Sequence, residues 1–225
     1  MMRWELLDKA AVPGGNHELR LYRRGDEYSI RADGCELMNS RVHGSEEELA
    51  ERVCVRMSGR IAPRVLIGGL GMGFTLAAAL PRLNADARVD VVELVPAVVA
   101  WCRGPLAGLA GPALTDKRVT IHERDVRHLL RSHKNAFDAI ILDVDNGPAG
   151  LTRKENDWFY GRSGLLAIRD ALRPRGVFAV WSAGPDNAFV RRLKQTNYSV
   201  EEIPVRARRG YKGGHHILWL AIRTA

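Results

Sequence analysis

Cysteine is scarce in this chain: Cys35, Cys54 and Cys102 are its only three among 225 residues. Their odd number and wide spacing exclude a disulfide framework and any CxxC or Cys/His zinc cluster. No metal site is expected. The fold must instead come from an apolar core, which a chain of this length can bury, and the thiols suit a reducing cytoplasm. Long apolar runs are missing too. No segment approaches the roughly eighteen uncharged apolar residues that span a bilayer. Residues 1–15 carry Arg3, Glu5, Asp8 and Lys9 and no apolar stretch of signal-peptide length. A soluble, cytoplasmic protein without a membrane partner is therefore expected. Internal repeats are absent as well, which excludes solenoids and propellers.

Acid falls short of base, leaving a formal charge of +8. Most basic residues are scattered arginines; only Arg206-Ala207-Arg208-Arg209-Gly210-Tyr211-Lys212 is dense. That run reads as a solvated loop, or as a loop guiding an anionic substrate. Without a nucleic-acid motif or interleaved aromatics, nucleic acid is not expected as a partner.

What is present divides in two. From residue 17 to residue 40, short alternating segments (17–23, 27–32, 35–40) are punctuated by Gly25-Asp26 and Asp33-Gly34, which predicts a small antiparallel meander. Ser45-Glu46-Glu47-Glu48 then reads as a capping box that opens a helix ending at Gly59. Residues 1–44 and 45–225 are taken as the two units. From Arg64 onward apolar strands alternate with helices. Strands are expected over 65–67, 88–93, 119–122, 137–143 and 176–181, with helices over 74–83, 96–103, 126–131, 163–172 and 186–195 between or after them. Two last strands, 198–205 and 217–222, have no helix between them and suggest an antiparallel edge pair. The class is α/β, with a mostly parallel sheet covered on both faces.

Four stretches carry candidate chemistry. Gly68-Gly69-Leu70-Gly71-Met72-Gly73 follows the first apolar strand and opens onto a helix N-terminus. Glycines at 68, 69, 71 and 73 let backbone approach a ligand, and the free amides favour electron-rich groups. A tight turn without ligand is the other reading. Glu93 ends the next strand, twenty residues past Gly73, where a carboxylate can accept both hydroxyls of a ribose. Asp125, followed by Val126, closes the third strand. It can accept an adenine amino proton or simply cap the following helix. Asp143 ends the most apolar strand. Ligands of open α/β sheets bind beyond the strands' carboxyl ends, so all four stretches are expected at one crevice. Asp145 to Pro148 reads equally as a turn. His215-His216 lacks a third ligand and reads as a strand-end pair.

The order of Gly68–Gly73, Glu93, Asp125 and Asp143 resembles the Rossmann-like S-adenosylmethionine-dependent methyltransferase fold. More narrowly the chain resembles the spermidine synthase (aminopropyltransferase) branch, from about Tyr28 to the C-terminus. The cues are Ala32-Asp33-Gly34, Asp143 running into Gly147-Pro148-Ala149, and Phe159-Tyr160 ahead of Ala171-Leu172-Arg173-Pro174-Arg175-Gly176. The resemblance implies a seven-stranded sheet, an adenosyl cofactor on Gly68, Gly69, Gly71, Gly73, Glu93, Asp125 and Val126, and Asp143 beside both cofactor and nucleophile. It also makes a homodimer an expectation. Asp143 is expected to orient an amine and take its proton, with Asp145 or Tyr160 assisting. Asp145, Asn146, Trp158, Phe159 and Tyr160 are candidates for the small-molecule acceptor's pocket, with packing beneath a loop as the alternative for the three aromatics.

Departures from the branch bear on the reaction. Gly71 stands where the branch's GGGDGG loop has aspartate, Asn146 where its DSSDP turn has one, Glu46-Glu47-Glu48 at its Tyr-His-Glu, and Leu37 at its glutamine. Decarboxylated S-adenosylmethionine ends in an ammonium that wants a carboxylate. Gly71 removes one, so the expectation leans towards intact S-adenosylmethionine and methyl transfer. Aminopropyl transfer from the decarboxylated form, and a non-catalytic cofactor-binding protein, stand as alternatives.

Overall fold

The computed structural model describes residues 2–15, 17–144, 156–206 and 215–224. Its first part is a four-stranded antiparallel sheet of β1 (Glu5–Ala11), β2 (Glu18–Arg24), β3 (Glu27–Ala32) and β4 (Cys35–Asn39), in that order. The meander matches the expected strands, with β1 added. Sequence reading missed β1 because most of its residues are exposed, leaving no clean alternation. Asp33 and Gly34 both take positive φ, 50° and 82°, as a two-residue hairpin turn of the primed type requires.

Helix α1 (Gly44–Arg56) follows. The expected capping box is not formed. The helix begins earlier, at the N-cap His43, where the Glu47 amide donates to the His43 carbonyl. Ser45 Oγ donates to Glu46 instead, and Glu48 pairs with Arg52 one turn on.

The rest is an alternating β/α series: β5 (Arg64–Gly68), α2 (Phe74–Ala79), β6 (Arg88–Glu93), α3 (Pro96–Arg103), α4 (Ala107–Ala110), β7 (Val119–Glu123), α5 (Val126–Ser132), β8 (Phe137–Leu142), α6 (Asp157–Tyr160), α7 (Arg162–Ala171), β9 (Leu172–Ser182), α8 (Asn187–Gln195), β10 (Tyr198–Arg206) and β11 (His215–Arg223). The seven-stranded sheet runs β10-β11-β9-β8-β5-β6-β7. β5 to β9 pair in parallel, and β11 is antiparallel to both β9 and β10. This is the expected α/β architecture with its antiparallel edge pair.

β8 is buried along its whole length, as a central strand covered on both faces must be. Its Asp138 is 2% exposed. Arg60, Arg173 and the Arg64 amide satisfy it, which a buried carboxylate demands. One apolar core, on one face of the sheet, also takes in Leu19, Leu21 and Ile30 of the N-terminal sheet and Val12 just past β1. The other face packs on α5, α7 and α8. The two sheets thus share apolar packing. Among the described residues no helix is long and apolar enough to cross a membrane.

Candidate active site

β5 passes into the glycine loop, and Gly73, with φ of 85°, caps α2. β5 lies between β6 and β8, so the loop sits between Glu93 at the end of β6 and Asp143 just beyond β8. The loop is fastened on both sides. The Gly69 amide donates to the Val92 carbonyl and the Asp143 amide to the Gly68 carbonyl, each at 2.8 Å.

Gly69, Gly71, Glu93, Asp125, Val126 and Asp143 line one cavity of about 360 Å³. Gly68 and Gly73 stand at the two ends of the loop, outside that wall. Glu93 accepts from the Leu70 and Val95 amides, each at 2.9 Å, through different oxygens. Those bonds aim the carboxylate into the cavity. Burial pushes its pKa up against those amides. Asp125 forms the helix cap that was one of its two sequence readings. It caps α5 by accepting from the Arg127 amide at 2.8 Å and ion-pairs with the Arg127 side chain, yet it faces the cavity. Burial works to raise its pKa, but the Arg127 bonds outweigh it and the pKa is lowered.

Asp143 is held differently. Thr75 Oγ1 donates to one of its oxygens at 2.9 Å and Trp181 Nε1 to the other at 2.7 Å. Both donors are neutral. Burial raises the Asp143 pKa, and these two bonds only partly oppose it. Sequence reasoning missed both partners. Thr75 lies in the first turn of α2. Trp181 lies near the end of β9, beside β8, so strand order would have pointed to it.

The aromatic candidates separate. Phe159 lines the cavity. Tyr160 does not: it is 4% exposed, its ring edge against Phe189 at 5.6 Å. Trp158 lies beneath the Arg131 guanidinium and also outside the cavity wall. For these two the packing alternative describes what the structure holds, because α6 turns them onto α5 and α8. Asp145, Asn146 and Gly147-Pro148-Ala149 lie outside the described residues, as does the basic run beyond Arg206. His216 packs its ring on Trp181.

The N-terminal sheet contributes walls that sequence did not announce. Val12, Leu19, Ile30, Leu37 and Met38 close one side of the cavity. Met38 also occupies the space beside Gly71, where an added Cβ would lie 2.7 Å from its Cε. The cavity therefore joins apolar walls to a few aimed carboxylates, which suits an adenosyl group.

Residues 54–195 match the family model described as the spermine/spermidine synthase domain. The chain belongs to that family. It is 29% identical over 174 residues to polyamine aminopropyltransferase 1 of Streptomyces coelicolor, covering 76% of this chain and 29% of that protein. To the polyamine aminopropyltransferase of Alkaliphilus oremlandii it is 31% identical over 142 residues, 61% of this chain and 46% of the relative. The match thus spans less than half the length of either relative. In fold it is similar to spermidine synthase from Thermotoga maritima, with a TM-score of 0.78 at 19% identity over 99% of this chain and 74% of that one. Methyl transfer, expected from Gly71, draws no support from these family relatives, which are named for aminopropyl transfer.

Proposed function

We propose that the protein transfers an aminopropyl group from decarboxylated S-adenosylmethionine to a small amine acceptor. The observation that carries this reading is Asp143. A carboxylate held, among the described residues, by two neutral donors beside the glycine loop attracts an ammonium and repels the carboxylate of intact S-adenosylmethionine. The absence of a loop carboxylate at Gly71 is thus answered at the end of β8. The names of the family relatives support the same choice.

Each residue then has a task. Glu93 receives the ribose hydroxyls and Asp125 the adenine amino group, between apolar walls from the N-terminal sheet and Val126. The bound donor supplies a carbon on a positively charged sulfur, which departs as a neutral thioether. Asp143 orients the attacking nitrogen and accepts its proton. Holding nitrogen and carbon at near-attack distance is the larger part of the catalysis.

Calorimetric titration of the protein with S-adenosylmethionine and with its decarboxylated form tests the reading. At least about a tenfold preference for the decarboxylated form is expected, equivalent to ~1.4 kcal/mol. Preference for the intact form overturns the proposal. Asp143→Asn should lower kcat about 10²–10⁴-fold while binding of methylthioadenosine persists.

A further inference from the structure

Three strands of the large sheet bring a row of side chains to the edge of the glycine-loop crevice. Leu142, the last residue of β8, pairs with Val180 of β9, so Asp143 comes level with Trp181. β11 runs antiparallel to β9 with Leu218 opposite Trp181. His216 stands two residues before Leu218, hence on the same face and diagonal to Trp181, a spacing that aromatic side chains bridge. Both contacts are made. Trp181 Nε1 donates to Asp143 Oδ1 at 2.7 Å, and the His216 and Trp181 ring centroids lie 4.8 Å apart with 31° between their planes.

The His216 Nδ1 is buried and has no hydrogen-bond partner among the described residues, so ring contact, not a bond through that nitrogen, seats the imidazole. Burial lowers its pKa, which favours the neutral ring. Trp181 needs such a brace. It lies near the end of β9 and is only half-buried. The bond to Asp143 ties one edge of the indole, and His216 covers its face. Thr75 holds the other carboxylate oxygen from α2, so losing the indole bond would free Asp143 to turn about that single tie. Neither Trp181 nor His216 lines the adenosyl cavity, whereas Asp143 does.

We infer that His216 is a positioning residue: by stacking on Trp181 it keeps the indole N–H on Asp143, and so fixes the direction in which that carboxylate faces the reacting nitrogen. The inference rests on the aminopropyl-transfer reading for the reaction it serves, but not for its geometry.

The test uses the full chain with His216→Ala, His216→Phe and Trp181→Phe. Turnover is measured with decarboxylated S-adenosylmethionine and 1,4-diaminobutane. Separately, solvent exchange of the Trp181 indole proton is followed by NMR without substrates, its signal identified by its loss in Trp181→Phe. In His216→Ala exchange should speed up and kcat fall, each about three- to tenfold, the range that an aromatic contact carries. Trp181→Phe should lower kcat further, about ten- to a hundredfold, the range for a hydrogen bond to a charged group. His216→Phe keeps a flat ring without Nδ1 and should recover most of what His216→Ala loses. Affinity for methylthioadenosine should stay within about twofold throughout, a split that a merely structural role would not produce. If His216→Ala loses that affinity, its fold is disturbed, and His216→Leu, bulky but not flat, takes its place. Exchange that His216→Ala leaves unmoved, or that His216→Phe raises equally, overturns the inference, as does an unchanged kcat in His216→Ala. If the wild type turns over no amine, aminopropyl transfer fails, and the exchange rates alone then decide the positioning role.

Discussion

A methyl group on Gly69 would point into the backbone of the neighbouring strand end. The residue holds φ at 91°, and its Cβ would stand 2.2 Å from the Asp143 carbonyl oxygen. Neither the loop nor the strand end can yield, because the Asp143 amide is bonded to the Gly68 carbonyl and the Gly69 amide to the Val92 carbonyl of β6. Gly69→Ala should therefore cost about 3 kcal/mol, combining left-handed backbone strain with the clash. Gly71→Ala shares the positive φ but meets only the movable end of Met38, and should cost about 1 kcal/mol. Urea unfolding of the two variants checks the order. The glycine spacing was visible in sequence. Which glycine is sterically indispensable was not, since that depends on a carbonyl 74 residues further along the chain. The same holds for Asp143: its place after an apolar strand is local information, whereas Thr75 and Trp181 reach it only through packing.

Element starts were legible where one side chain satisfies the free amides of its own helix. Asp186 accepts from the Ala188 and Phe189 amides at 2.8 and 2.9 Å and sets the start of α8. Phe189, Val190 and Leu193 of that helix enter the core. Asp186→Ala should lower stability by about 1 kcal/mol, read as a fall in Tm, while Asp186→Asn should retain most of it because asparagine caps comparably. At α1 the local signal misled. Ser45-x-x-Glu48 fits a capping box, but the stack of His43 on Phe74 extends the helix back and leaves Ser45 inside it. β1 was illegible for the opposite reason. An exposed edge strand carries little hydrophobic alternation, and only its pairing with β2 defines it.

Across the whole molecule, the raised carboxylates give stability a pH dependence of definite sign. The Glu46 pKa is about 7 in the folded chain against an ordinary 4.5, so folding favours its protonated form. Its contribution is complete below about pH 4.5 and disappears as pH rises through 7. Asp143 and Glu93 act in the same direction. Asp90 and Asp125, whose pKa values are lowered, lose their contributions only as pH falls through the acid range. In Tm series from pH 4.5 to 8 without ligand, the wild type should lose stability relative to Glu46→Gln as pH rises. A gap moving the other way would mean that a cation already neutralises Glu46. The sequence by itself determined the α/β alternation, the antiparallel edge pair, the glycine loop and the strand-end carboxylates. Each of these is written in local periodicity or in a residue beside its own strand. Only the tertiary structure decided that the N-terminal sheet walls the cavity, that Tyr160 faces the core, and that burial and the Asp143 charge raise the Glu46 pKa. Those facts depend on which distant surfaces pack together, and a one-dimensional pattern carries no record of the distance between two charges brought together by folding.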